Sequence, residues 1–475
     1  MALNPLMARD HDVIDLPFLD AVSSLAKKLS DGDDYLVVSH HDADGVTACA
    51  IMVDLLRSLG KKVDYKVLKQ LDSITISEIK DFTGKILVFT DMGSGHFTLL
   101  ADHGVTDFFV VDHHNPECES PKQINPHSFG FNGGIDVSGS GMAYLVARAL
   151  GRRDFAHLAI VGACGDMQDS GGKLRSINRM IMFDAIEQGT LKVKNDLRLF
   201  GRQSRSLVQM LAYASDPVLP HLTGNQKGCT QFLESNEILV RDENNRLRNY
   251  VDLTHLERER LTTALYIHLL DANTPEFIIQ RMIGEVYTLM REEKKTELRD
   301  AKEFATLLNA CGRQEQPEIG VMVCLGDRGE HLTLARSLLE NHRRQLSAGL
   351  DYLSKKGVES KENLYFFDAE GEVKESIVGV VAGMAYGARI IPPDKPVLGF
   401  AQDRDDPDWL KVSARANYSL LRKGIHLGNA MNEGSSKFGG EGGGHDIAAG
   451  ARVPKNKKED FIKEVNNIFT TQMSN

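Results

Sequence analysis

Tyr35-Leu36-Val37-Val38-Ser39 is a short apolar run that passes directly into His40-His41-Asp42-Ala43-Asp44-Gly45. The run reads as a buried strand, and residues 45–59 follow with helical spacing until Gly60 stops them. Residues 63–68, 85–90 and 107–111 read as further strands, and helical patterns continue over 141–150 and 155–163. Strand–helix alternation of this kind predicts a parallel sheet covered by helices on both faces. Such sheets gather their chemistry just past the carboxyl ends of the strands.

The polar clusters fall where that rule expects them. Asp91-Met92-Gly93-Ser94-Gly95 follows the apolar run 85–90, and Asp112-His113-His114 follows 107–111. Gly165-Asp166-Met167-Gln168-Asp169 follows a helical run. Carboxylate oxygens with imidazole nitrogens suit manganese, iron, zinc or magnesium ions. Alternation predicts His40, Asp42 and Asp44 on one side of an extended strand end. Two ions about 3.5–4 Å apart, sharing a carboxylate, would serve displacement at a phosphoryl centre. Taken singly, each motif has a plainer reading. Asp91 alone reads as a helix N-cap, a His-His pair as surface or core, and Gly442–Gly444 as a turn. Arg415 alone reads as half of a surface ion pair.

The 475 residues carry a net charge of −10, and residues 1–190 hold 26 acidic against 17 basic residues. The excess acid therefore lies where the four clusters lie. A uniformly basic nucleic-acid coat is excluded, and with 42% hydrophobic residues so is a mainly disordered chain. Cys49, Cys118, Cys164, Cys229, Cys311 and Cys324 form no C-x-x-C pair, so they read as reduced thiols of a cytoplasmic protein. The longest weakly polar stretch, 377–388, is shorter than the roughly 20 residues of a spanning helix, and no membrane association is expected. Residues 191–320 read as a mostly helical connector, with helices over 256–270 and 275–290. Residues 321–475 return to mixed α/β, with strands over 321–325, 363–367, 397–401 and 409–416. Helices are expected over 334–353 and 458–469. The basic run Lys192, Lys194, Arg198, Arg202 and Arg205 reads as a solvated helix face.

The series H-x-D-x-D-G, D, D-H-H and G-D-x-x-D resembles the motifs of the DHH phosphoesterase superfamily. Ser413-Ala414-Arg415 and Gly442-Gly443-Gly444-His445 resemble elements of the DHH-associated domain. Leu308-Asn309-Ala310-Cys311-Gly312-Arg313 resembles a signature of RecJ-type exonucleases, and residues 284–287 and 297–313 are similar to their archaeal branch. The resemblance implies a catalytic domain over 1–190, a connector with a helical insertion over 191–320 and a substrate-binding domain over 321–475. An active cleft would lie between the two α/β domains. It implies an exonuclease using two divalent ions, most often manganese, with magnesium or cobalt as alternatives. It would degrade single-stranded DNA or RNA from one end to mononucleotides, in replication or repair. His40, Asp42 and Asp91 match the ligands of one ion; Asp44, Asp91, His113 and Asp166 match those of the other. Asp112 would orient a histidine, and His114 would face the scissile phosphate. Asp169 sits beside the site with no assigned role. Asn309, Arg313, Ser413, Arg415, Gly443, Gly444 and His445 would bind substrate.

Two other readings stay open. One is a nano-RNase or small-dinucleotide phosphodiesterase of the same superfamily. The other is a replication scaffold, because the archaeal branch resembles a cell-division-cycle subunit of the replicative helicase. The resemblance implies the GINS complex as a partner, docking at about 215–290; the same helices read equally well as packing on their own domain.

Overall fold

The computed structural model describes residues 16–79, 84–369, 371–387, 390–404 and 406–474. Two compact units divide after Leu339. The first contains a wholly parallel sheet of β1 (Asp34–His40), β2 (Lys62–Leu68), β3 (Ile86–Thr90), β4 (Phe108–Val111) and β5 (Gln123–Ile124). Their order is β2-β1-β3-β4-β5. The pleat sends alternate side chains to opposite faces, and both faces are apolar. Val37, Val88 and Val111 pack under the helices Leu16–Asp31, Ala43–Ser58 and Gly139–Ala149. Leu36, Val38, Phe89 and Val110 join Ile76, Ile79 and Leu100 in a second core on the other face. This explains the near-continuous apolar runs: a parallel strand covered on both sides has no polar face. Helix Ala43–Ser58 is itself buried nearly all round, enclosed by helices Gly139–Ala149, Ala156–Gly165, Ala301–Arg313 and Pro317–Cys324.

β6 (Leu191–Leu197) and β7 (Ile283–Leu289) pair antiparallel, so the chain between them leaves and returns at one place. That insertion builds its own core from Leu207, Met210, Leu233, Leu261, Leu265 and Leu269. The last three recur every four residues along helix His255–Asp271 and form its buried stripe. The helix expected over 275–290 is instead a short helix, Glu276–Gln280, followed by β7. Pairing with β6 decides the conformation there, overriding local periodicity. The strand expected over 321–325 is the end of helix Pro317–Cys324, which has proline at its first position. A short apolar run carries no period to separate the two. Residues 321–339, read with the last part of the chain, pack with the first unit.

The second unit holds a mixed sheet of β8 (Glu359–Ser360), β9 (Tyr365–Asp368), β10 (Val397–Gln402), β11 (Trp409–Arg415), β12 (Glu441–Gly444) and β13 (Ala448–Pro454). Its order is β12-β13-β11-β10-β9-β8, and only β9 and β10 run parallel. Ile377, Val378 and Val381 of helix Glu375–Gly387 share one core with the sheet. Met431, Phe461, Val465 and Phe469, from helices Leu427–Ser436 and Lys458–Ser474, share the other. Among the described residues no helix is long and apolar enough to cross a membrane.

Candidate metal centre

Because β1, β3 and β4 are neighbours and parallel, the segments that follow them open on one sheet edge. Helix Ala156–Gly165 ends at the same place and adds Asp166. Ligand atoms of His40, Asp42 and Asp91 lie within 4.8 Å of one another, as do those of Asp44, His113 and Asp166. Asp91 stands between the groups. Its Oδ2 is 3.8 Å from His40 Nδ1, and its Oδ1 is 3.1 Å from His113 Nε2. His113 Nε2 is also 3.7 Å from Asp44 Oδ2, and His40 Nδ1 is 3.0 Å from Asp42 Oδ2.

Alternation along an extended strand is not what aligns the first motif. β1 ends at His40, Asp42 caps helix Ala43–Ser58 by accepting the Gly45 N–H at 3.0 Å, and Asp44 lies in the first helical turn. Asp44 accepts the Gly139 and Ser140 N–H groups at 2.7 and 3.0 Å. These are the unpaired donors of a second helix start, which favour a carboxylate. Asp91 caps no helix; it has φ 55°, and the next helix starts at Phe97.

The carboxylates of the centre crowd one another. Burial, then the Asp44 charge, pushes Asp91 up to about 7. Burial raises Asp166 to about 6, with Asp44 adding to it and His113 opposing. Burial alone would lower the His40 imidazole, but Asp42, Asp91 and Asp44 outweigh it and hold the ring at about 9. His113 is likewise held well above its ordinary value. Asp91 Oδ1 is buried, and the group it faces is His113 Nε2 at 3.1 Å. A donor set of carboxylate oxygens and imidazoles that holds protons in place of cations fits divalent metal. His40, Asp42, Asp44, Asp91, His113 and Asp166 are the groups that would hold it.

Asp112 is buried behind this set. It accepts the Ser94 N–H at 3.0 Å, the His113 N–H at 2.7 Å and His114 Nδ1 at 2.8 Å. Burial would raise its carboxyl, but the His114 hydrogen bond and charge hold it well below the usual range. The same contact overcomes burial at His114 and holds that ring at about 9. Asp169 is buried in ion pairs with Arg198 at 2.6 Å and Lys302 at 2.8 Å, tying the fourth motif to the root of the insertion. Arg198 and Arg202, the latter paired with Asp196, are thus internal ion partners and not a solvated helix face.

The Leu308–Arg313 motif lies in helix Ala301–Arg313 and leans on the first motif. Asn309 Oδ1 accepts the Ala43 N–H at 2.9 Å. Gly312 faces the His41 carbonyl so closely that a Cβ would overlap it. Asn309, expected to meet substrate, therefore has its oxygen committed to positioning. Arg313 is half-buried, and its charge acts on Asp42 and His41.

The remaining expected residues lie in the second unit. Gly443, Gly450, Ser413 and Gly399 form one row across β12, β13, β11 and β10. Arg415 donates from Nη1 to the Ala414 carbonyl at 2.8 Å, and helix Glu375–Gly387 passes close to it at Gly379. The glycine cluster is strand, not loop: Glu441–Gly444 forms β12, Gly444 having φ 132°. Exposed His445 follows, its N–H donating to the Ala448 carbonyl at 2.9 Å.

Residues 34–163 match the model of the DHH family, N-terminal domain; residues 199–283 match the DHH-CID domain and 367–471 the DHHA1 domain. The chain is 30% identical over 446 residues to an uncharacterized protein of Methanocaldococcus jannaschii, covering 92% of this chain and 93% of that one. It is 25% identical over 203 residues to the single-stranded-DNA-specific exonuclease RecJ of Bacillus subtilis, covering 38% of this chain and 25% of that one. Among solved structures it resembles CDC45 from Entamoeba histolytica, with TM-score 0.64, 11% identity and 95% and 98% of the two chains covered. It also resembles RecJ in complex with manganese from Thermus thermophilus, with TM-score 0.53, 17% identity and 96% and 55% covered. At those identities the two structural likenesses are likenesses of fold. With three domains matched and a relative alike along almost its whole length, this chain belongs to the DHH family of phosphoesterases.

Proposed function

We propose that this protein hydrolyses single-stranded nucleic acid from one end, releasing mononucleotides, with two divalent ions bound. Manganese is the first candidate, with magnesium or cobalt as substitutes. The position of Asp91 carries the reading: one buried carboxylate faces both ligand groups, Oδ2 toward His40 and Oδ1 toward His113. His40, Asp42 and Asp91 would hold one ion, and Asp44, Asp91, His113 and Asp166 the other. Such a pair, when bound, supplies a water nucleophilic at neutral pH and neutralises phosphate charge.

The chain's own groups do the rest. His114 keeps its proton at neutral pH because Asp112 holds it there, so it can donate to a phosphoryl or leaving oxygen. Asp112 keeps the ring in place. Arg313 offers a guanidinium that does not lose its proton, suited to a neighbouring phosphate. Ser413, Arg415, Gly443, Gly444 and His445 would bind the strand, a role that rests on the family resemblance. The similarity to an exonuclease described as specific for single-stranded DNA supports the substrate class.

End-labelled single-stranded DNA and RNA, digested with manganese, magnesium and cobalt in parallel, test the reading. A ladder starting at mononucleotide supports it. Activity confined to two to four nucleotides would favour the nano-RNase or dinucleotide phosphodiesterase.

A second reading concerns partners. Leu256, Ile267 and Leu270 stand exposed on helix His255–Asp271, and the fold likeness to CDC45 spans the insertion. The exposed residues offer a surface for a partner; that the partner is the GINS complex, docking at about 215–290 and through it the replicative helicase, rests on the family resemblance. Capture of GINS by the full chain, lost when Leu256, Ile267 and Leu270 become Asp, is the expected result. Unchanged capture removes the docking site.

A further inference from the structure

Gln168 belongs to neither ligand group, yet it braces two of the ligands. Met167 takes a left-handed turn, φ 58°, at the end of helix Ala156–Gly165. That turn sends Gln168 inward, where it is 5% exposed. Its Nε2 lies 2.7 Å from Asp166 Oδ2, 2.8 Å from the Gly133 carbonyl and 3.2 Å from the Val137 carbonyl. The Gly133 carbonyl in turn accepts His113 Nδ1 at 2.7 Å. One amide therefore holds the carboxylate of Asp166 and the oxygen against which the His113 ring is set.

The orientation of that amide is itself fixed. Asn178, fully buried, donates from Nδ2 to Gln168 Oε1. Asn178 is anchored by its own N–H, which bonds the Asp136 carbonyl at 2.9 Å. Flipping the Gln168 amide would set its oxygen against a carboxylate and two carbonyls, contacts that cannot form hydrogen bonds. Gly133 also passes close to the His113 backbone: a Cβ there would overlap the His113 carbonyl. The His113 ring, its Gly133 acceptor and Asp166 thus share one support.

We infer that Gln168 is a positioning residue of the metal centre: with Asn178 behind it, it presets His113 and Asp166 for the ion they share with Asp44. The inference rests on the metal reading proposed above and assigns the control of one of its two ions. A partner behind a metal ligand fixes the ligand's direction, and losing one typically costs about 10–100-fold in metal affinity.

Metal-free full-length protein titrated with manganese, followed by calorimetry and electron paramagnetic resonance, tests this. Wild type should take up two ions. Gln168→Met, which keeps the length and removes the amide, should weaken one uptake step by about 10–100-fold and change the other by less than twofold. The metal-free unfolding midpoint should stay within a few degrees of wild type. Asn178→Ala, which leaves Gln168 present but unoriented, should weaken the same step by a smaller factor, and serves if Gln168→Met does not fold. Two normal uptake steps in both variants overturn the inference and leave the metal reading intact. No uptake by wild type overturns the metal reading, and the inference with it.

Discussion

His114 Nδ1 lies 2.8 Å from Asp112 Oδ1, and the two residues face different surroundings. The carboxylate is 1% exposed, whereas the His114 side chain is 55% exposed. A buried anion thus holds an accessible imidazolium at the rim of the metal centre, the arrangement of a proton donor and its orienting partner. His114→Gln should lower kcat by about 10²–10⁴-fold while manganese affinity is retained. Loss of manganese binding in this variant would make His114 a ligand instead. Steady-state kinetics alongside metal titration separates the outcomes.

Asp91 should give opposite results with and without metal. In the metal-free protein its carboxylate is buried and crowded by Asp44 and Asp42, which together outweigh the attraction of His113, so Asp91→Asn removes a costly charge and should raise the thermal midpoint. Wild type with manganese at 100 times Kd should gain about 2.7 kcal/mol, and the variant should lose most of that gain. Thermal melts in chelator and in manganese check both signs. A variant less stable than wild type in chelator would contradict a costly buried charge at Asp91.

The contact of Gly312 with the His41 carbonyl leaves no room for a methyl group. Gly312→Ala should push helix Ala301–Arg313 off the first motif, costing about 1–3 kcal/mol. Manganese affinity should fall too, because Asn309 would lose the Ala43 N–H. Urea unfolding and metal titration of the same variant measure the two effects.

In the insertion, Glu257 completes the capping box of helix His255–Asp271 and pairs with Arg248 at 2.8 Å. Arg248 first, then the Thr254 contacts, hold its carboxyl down to about 2 against an ordinary value of 4.5. A depressed folded value means the stabilisation is complete above about pH 4.5 and fades as pH falls through about 2. Glu257→Gln should therefore cost about 1 kcal/mol at pH 7 and less at pH 3. Amide exchange in the first helical turn reads the difference. An equal cost at both pH values would show that charge plays no part.

Much of the centre is legible in the sequence because strand ends are local signals. The apolar runs ending at His40, Asp91 and Asp112 announce both the parallel sheet and its working edge. The geometry inside the first motif is not legible, because Asp42 and Asp44 are aimed by a helix start and by Gly139 and Ser140, almost a hundred residues away. β7 is hidden for the same reason: only its pairing with β6 makes residues 283–289 a strand. Asn309 reads as a substrate contact because its motif is recognisable, while its bond to Ala43 N–H is a tertiary fact. Gln168 gives no signal beyond standing two residues after Asp166, since its partners Gly133, Val137 and Asn178 come from other segments.

The central claim is that Asp91 joins two ion sites which together cleave single-stranded nucleic acid from an end. The most direct test compares wild type and Asp91→Asn on end-labelled single-stranded DNA and RNA with manganese. Wild type should release mononucleotides from the outset on at least one of these substrates, and Asp91→Asn, folded and stable, should release none above background. Undiminished release by Asp91→Asn, or no manganese-dependent release by wild type on either substrate, would contradict it.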